Sequence, residues 1–196
     1  GLDRRATGRG DTALSEKASM MRPVPTFLVS TILGAVLLLL AACGEEQQAS
    51  APPAPHEVTD EAIGHYCGMA LAEHSGPKGQ AILQSRDEPV WFSSARDAIA
   101  FTKLPEEPKD IAAIYVTDMA AAKDWDHPEP GTWIDARRAW YVIGSTRKGG
   151  MGGDEAVPFG QEQAARHFAE FHGGQVVAFD AVPESYVLGG SGHSGH

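Results

Sequence analysis

The chain repeats itself, and the repeat limits what it can fold into. At an offset of 67 residues, Val90-Trp91-Phe92 followed by Ala98 and Phe101 is echoed by Val157-Pro158-Phe159 followed by Ala165 and Phe168. In each copy a short apolar run leads into a segment with apolar residues at helical spacing, and then into another apolar run. Short runs rich in Val, Ile and aromatic residues read as strands, and recurrence every three or four residues reads as a helix face. In the first copy the helix begins at Ser93 or Ser94, because Ser94-Ala-Arg-Asp97 fits a capping box. Ala95, Ala98, Ile99 and Phe101 form its apolar face, and a strand follows over 111–116. In the second copy the helix spans 161–171, with Ala164, Ala165, Phe168 and Phe171 inward. His172-Gly173-Gly174 ends it as a glycine C-cap does, and a strand follows over 175–179. Further strands are expected over 80–84, 132–135 and 139–143. The sequence therefore predicts an α+β fold: two similar ββαβ units, about 78–118 and 132–182, forming one domain over 58–186.

What surrounds that domain sets where it works. Phe27 to Ala42 is an apolar run of 16 residues, broken only by Ser30, Thr31 and Gly34. It is short for a membrane span and suits the core of a signal peptide. It ends Leu40-Ala41-Ala42-Cys43, which resembles a bacterial lipoprotein signal whose cysteine is acylated and becomes the new N-terminus. On this reading 1–19 is an upstream extension, since Met20 and Met21 offer starts, and 20–42 is the signal peptide. Residues 43–57 are then a flexible linker, polar and rich in Pro and Ala, and 187–196, which ends Gly-Ser-Gly-His-Ser-Gly-His, is a flexible tail. The mature protein is expected in the periplasm, held to the membrane through acylated Cys43.

From Cys43 onward 11 Lys and Arg face 23 Asp and Glu, a formal net charge of −12, against −10 for the whole chain. Such a surface repels nucleic acid, which is excluded as a partner. With Cys43 acylated, Cys67 is the one thiol left, so no internal disulfide is available and a monomeric domain must rely on packing. A lone thiol in an oxidising compartment needs a role or a place in the core.

Cys67-Gly68-Met69 gives it a role. A thiolate sits two residues from a thioether, and a second thioether, Met151, stands on the bare loop Gly149-Gly150-Met151-Gly152-Gly153. Soft sulfur donors of this kind select Cu(I) over harder ions. Cysteine and methionine are often ordinary core residues, but Cys67 and Met69 sit beside Gly68 and outside any long apolar run, and Met151 has glycines on both sides that offer nothing to pack against. Among the histidines, His65 is nearest the Cys-x-Met motif; His74, His127, His167 and His172 compete with it for any further ligand place. Asp118 and Asp135 suit capping and hydrogen bonding, and Met119, which opens an alanine-rich stretch, suits the core. No Gly-x-Ser-x-Gly, His-Glu-x-x-His or Walker-type sequence is present, so no enzyme activity is expected.

In order along the chain, Cys43, Tyr66-Cys67-Gly68-Met69, His74-Ser-Gly-Pro-Lys-Gly79, Tyr115-Val116-Thr117-Asp118, Trp140-Tyr141-Val142, Gly144-Ser145, Met151 among its glycines and Pro158-Phe159 resemble the NosL family over 43–182. The resemblance implies a copper-binding lipoprotein that holds one Cu(I) and serves assembly of the copper sites of nitrous oxide reductase. Its partners would be that reductase and its membrane-bound assembly machinery. It also implies a pair of ββαβ units related to part of organomercurial lyase. That lyase's chemistry needs two cysteines with an aspartate, and one cysteine besides Cys43 does not supply it. A structural lipoprotein docking on a membrane complex, with its methionines as packing, is the alternative reading.

Overall fold

The computed structural model describes residues 51–189. The signal segment, Cys43 and the histidines at the end of the tail lie outside the described residues. The first unit comprises β1 (Gly79–Leu83), β2 (Val90–Phe92), α1 (Ala95–Lys103) and β3 (Ile111–Thr117). After β4 (Trp133–Asp135), the second unit comprises β5 (Trp140–Ile143), β6 (Val157–Phe159), α2 (Glu162–His172) and β7 (Gln175–Ala178). A short α3 (Glu184–Leu188) follows. Both sheets are antiparallel, ordered β2-β1-β3-β4 and β6-β5-β7, so the first strand of each unit is flanked by its second and third. The registers match as well. Gln80 pairs with Trp91 and Tyr115, and Tyr141 pairs with Pro158 and Val177.

The duplicated ββαβ plan is therefore present, with one reassignment. The strand over 132–135, expected to open the second unit, is β4 and hydrogen-bonds onto β3 at the edge of the first sheet. Asp135 then caps a single 3-10 turn, accepting from the Arg137 N–H, and the chain crosses to β5.

Two loops depart from strict repetition. The loop between β5 and β6 runs over 144–156, against 84–89 between β1 and β2. The loop between α1 and β3 runs over 104–110, against 173–174 between α2 and β7. Each unit thus carries one long loop where the other carries a short one.

Period-2 alternation sorts the sheet faces. In the first sheet Ala81, Leu83, Val90, Phe92, Ile114 and Val116 face α1, whose Ala95, Ala98, Ile99 and Phe101 are fully buried. The second sheet is covered on both faces. Tyr141, Ile143 and Val177 enter the core that contains α1, while Val142, Val157 and Phe159 pack on α2. Ser94 caps α1, its side chain accepting from the Asp97 N–H at 3.0 Å as the capping-box pattern predicts. Gly173 ends α2.

The outer face of the first sheet carries Gln80, Trp91 and Tyr115, and 53–57 lies across it. The fully buried Gln80 side chain accepts from the His56 N–H and donates to the His56 carbonyl, both at 2.8 Å. Tyr115 donates its hydroxyl to the Pro53 carbonyl at 2.6 Å, and Glu57 accepts from the Gly131 N–H. The later part of the expected flexible linker is thus pinned to the sheet, because an amide in the middle of a buried face must find partners. At the other end Val187, expected in the flexible tail, is buried in the core on α3.

Gln80→Ala should release this strap and leave the His56 peptide without its partners. We expect a loss of about 1–3 kcal/mol in denaturant unfolding and new proteolytic cleavage within 51–58.

Candidate metal centre

The sulfur motif sits on a tight loop at the edge of the first sheet. Residues Ile63 and Ala70 form an antiparallel bridge, and Gly64 bridges Trp91 of β2. The Gly64 N–H donates to the Met69 carbonyl, the Gly68 N–H to the Gly64 carbonyl, and the His65 N–H to the Trp91 carbonyl at 2.7 Å. Gly68 turns the chain at φ +67°, a conformation that strains any residue with a side chain. Cys67 and Met69 therefore project from a loop whose backbone is fixed.

Cys67 is half-buried, and its Sγ lies 3.6 Å from Nε2 of His74. His74 is buried at 4% exposure, just after a single 3-10 turn over Leu71–Glu73. The Met151 loop reaches the same place. Gly150 lies so close to His74 that a Cβ there would stand 2.5 Å from the His74 Cβ and 2.7 Å from the Ser75 carbonyl oxygen. A glycine is required at that position. Met151 itself is 59% exposed and Met69 43%.

The sequence-level candidates thus separate. Cys67 and His74 are in contact, and the Met151 loop packs on His74. His65 is engaged elsewhere: its Nε2 lies 3.2 Å from Glu107 Oε1, and its ring packs edge-on to Phe92 and Phe101. The nearest histidine in sequence is thus not the one in contact with the thiol. His127 lines a small cavity together with His74, while His167 lies edge-on to Phe171 and His172 lies tilted against Phe168, all on α2. Asp118 accepts from the Gly160 and Ala120 N–H groups, and Met119 packs beside Phe159 and Phe168. Among the described residues no three His, Cys, Asp or Glu side chains come together as a metal site. The Cys67 thiol and the His74 imidazole are in contact, and Met69 and Met151 carry thioethers on the two loops that approach them. Soft donors of these types suit Cu(I) better than the tetragonal nitrogen and oxygen array of Cu(II) does.

Charge is buried behind the centre. Glu155, on the same long loop as Met151, is almost fully buried and touches Gly149. Its Oε1 accepts from the Arg96 N–H at the start of α1 and from the Ala156 N–H, while Oε2 has no partner among the described residues. Desolvation pushes its carboxyl up to about 8, against the opposing pull of those N–H groups and of Lys78. Lys78 is also buried, donates to the Ser75 and Gly76 carbonyls, and is lowered by desolvation to about 8. Neither residue stands out in the sequence, because burial of an ionisable side chain depends on partners that other segments provide.

Two measurements test this arrangement. Gly150→Ala must push the loop away from His74, so we expect a loss of about 1–3 kcal/mol in unfolding free energy together with weaker metal binding. Glu155 keeps a proton in the folded state that the unfolded chain releases near 4.5. Stability should therefore fall as pH rises from about 4.5 to about 8. Lys78, lowered to about 8, stays charged in both states over the lower part of that window and opposes the slope only as pH approaches 8. Glu155→Gln retains the acceptor for Arg96 and Ala156 and should flatten the profile in a pH series of denaturant melts.

Residues 55–187 match the family model for NosL. The chain is 46% identical over 164 residues to the copper-binding lipoprotein NosL of Achromobacter cycloclastes, an alignment covering 83% of this chain and 84% of that protein. It is 36% identical over 161 residues to the copper-binding lipoprotein NosL of Stutzerimonas stutzeri, covering 80% and 81%. Its fold is similar to the crystal structure of the copper chaperone NosL from Shewanella denitrificans, with a TM-score of 0.63 and 31% identity over 69% of this chain and 98% of that one. A family match across the whole described domain, two relatives aligned along most of their length and a shared fold make the conclusion plain: the chain belongs to the NosL family.

Proposed function

We propose that this protein is a Cu(I)-binding lipoprotein of the bacterial envelope that carries copper for assembly of the copper centres of nitrous oxide reductase. The observation that carries the reading is the contact between Cys67 and His74, with the Met151 loop packed on the same imidazole. Relatives named for copper binding and a solved neighbour named a copper chaperone support it. Acylation of Cys43 would anchor the mature chain on the periplasmic side of a membrane, as a monomer, beside the membrane-bound assembly machinery that receives the metal.

The chemistry is ligand exchange and involves no catalysis. Cu(I) is satisfied by two or three soft ligands. Cys67 supplies the charge that attracts it, and His74 supplies a neutral nitrogen held in place by burial. Met69 and Met151 stand in solvent, carry no proton to lose and bind less tightly than a thiolate. A receiving protein can therefore displace a thioether before the thiolate lets go. Exposure has a cost, since both sulfurs are open to sulfoxide formation.

Titration with a competing Cu(I) chelator tests the reading. Cys67→Ser should weaken binding more than tenfold, about 1.4 kcal/mol or more. Met151→Leu keeps the bulk and removes the lone pair. It should leave thermal stability unchanged, because the side chain is mostly exposed, and should weaken binding less than Cys67→Ser while slowing transfer to an acceptor more than Met69→Leu does. Unaltered affinity in all three variants would favour the alternative, a lipoprotein that docks on an assembly complex without handling metal.

A further inference from the structure

The internal repeat extends beyond the two ββαβ units. In the first unit the segment carrying the sulfur motif lies along the β2 edge through the bond from His65 N–H to the Trp91 carbonyl. In the second unit the Met119 N–H donates to the Pro158 carbonyl at 3.0 Å. Pro158 is the counterpart of Trp91 at the 67-residue offset, so Met119 stands where His65 stands. The packing repeats too. His65 lies against Phe92 and Phe101, and Met119 lines one groove with their counterparts, Phe159 and Phe168. Counting onward, Ala120 and Ala121 occupy the places of Tyr66 and Cys67, and the Ala122 N–H donates to the Asp118 carbonyl as the Gly68 N–H does to the Gly64 carbonyl. The chain thus contains an equivalent edge segment without the donor residues, which serves as an internal control.

The control shows what else the first unit has and the second lacks. The α1–β3 loop spans 104–110, whereas its counterpart is only 173–174. The extra length brings in Glu107, whose Oε1 accepts from the Tyr66 hydroxyl at 2.9 Å and lies 3.2 Å from His65 Nε2. Its side chain is only 12% exposed. One carboxylate thus grips the two residues immediately before Cys67. The other loop elongated relative to its counterpart carries Met151. Both departures from the duplicated plan converge on the same centre, and one of them supplies a donor directly.

We propose that Glu107 is a positioning residue for the metal centre, clamping His65 and Tyr66 against α1 so that Cys67 is held toward His74. This inference rests on the copper reading for its role, but the clamp can be tested without copper. A carboxylate gripping two donors from a separate loop fixes the loop more firmly than the backbone turn does alone. Partners just outside a ligand set typically contribute 10–100-fold to metal affinity by orienting the ligands.

The test compares Glu107→Ala and Glu107→Gln with the unaltered protein. In metal-free protein, amide hydrogen exchange at Gly64 and Gly68 should speed up in the alanine variant, because those N–H groups close the loop. Cu(I) affinity, measured with a competing chelator, should fall about tenfold, and X-ray absorption on the loaded protein should lose its nitrogen neighbour. Glutamine places an oxygen at the same point and should restore all three. If the alanine variant does not fold, Tyr66→Phe removes one leg of the clamp and should change each readout in the same direction. Unchanged exchange at Gly64 and Gly68 overturns the clamp. Faster exchange with full affinity and an intact nitrogen neighbour overturns its role at the metal. Undiminished binding by Cys67→Ser would instead overturn the copper reading, and the exchange data would then decide the clamp by themselves.

Discussion

Everything in this domain leans on helix α1. Four of its residues are fully buried, and a Cβ at Gly79 of the first sheet would stand 2.4 Å from the Ala98 Cβ. Helix and sheet could not be closer. The same core admits Tyr141, Ile143 and Val177 of the second sheet. The ends of α1 are used as well. At its start the Arg96 N–H holds Glu155 and with it the long loop of the second unit. Beyond its C-terminus Glu107 holds the sulfur-bearing loop of the first. The two loops that carry the candidate donors are thus referenced to one rigid element, and placing ligands on such an element is how a site keeps its geometry.

Duplication explains the economy of the fold. One ββαβ unit buries only one face of its sheet, so a second surface must cover the other. In the second sheet that surface is the first unit; in the first sheet it is the strap 53–57, held by Gln80 and Tyr115. Because the units are not covered in the same way, they are free to diverge at their edges. The β2 edge carries thiol, thioether and a carboxylate clamp. The β6 edge carries Met119 followed by alanines in an otherwise similar backbone setting.

The electrostatics of the centre divide by depth. Met69 and Met151 are exposed at the surface. Glu155 and Lys78 are buried, and desolvation drives both toward their neutral forms. The hydrogen bonds of Glu155 to two backbone N–H groups recover part of the cost of that burial. A loop tied down by a buried side chain at one end and ending in glycines at the other can present Met151 without packing it.

The sequence by itself determined the elements and the duplication and singled out the sulfur-bearing candidates. Strands and helices were legible because period-2 and helical spacing report which face each residue buries, and the capping box at Ser94 and glycine stop at Gly173 are local chemistry. Cys67, Met69 and Met151 stood out because soft donors flanked by glycine have little other use. The tertiary structure decided the rest. Strand 132–135 could be assigned to the first sheet only by its pairing with β3, which depends on where the chain crosses in space. His74 became the partner of Cys67, and His65 was drawn to Glu107, because residues 7 and 42 positions apart in sequence meet only after folding. Glu155 and Gln80 look like surface residues in a sequence, since burial of a polar side chain depends on partners that other segments provide. Proximity along the chain favoured His65; packing in three dimensions placed His74 beside the thiol.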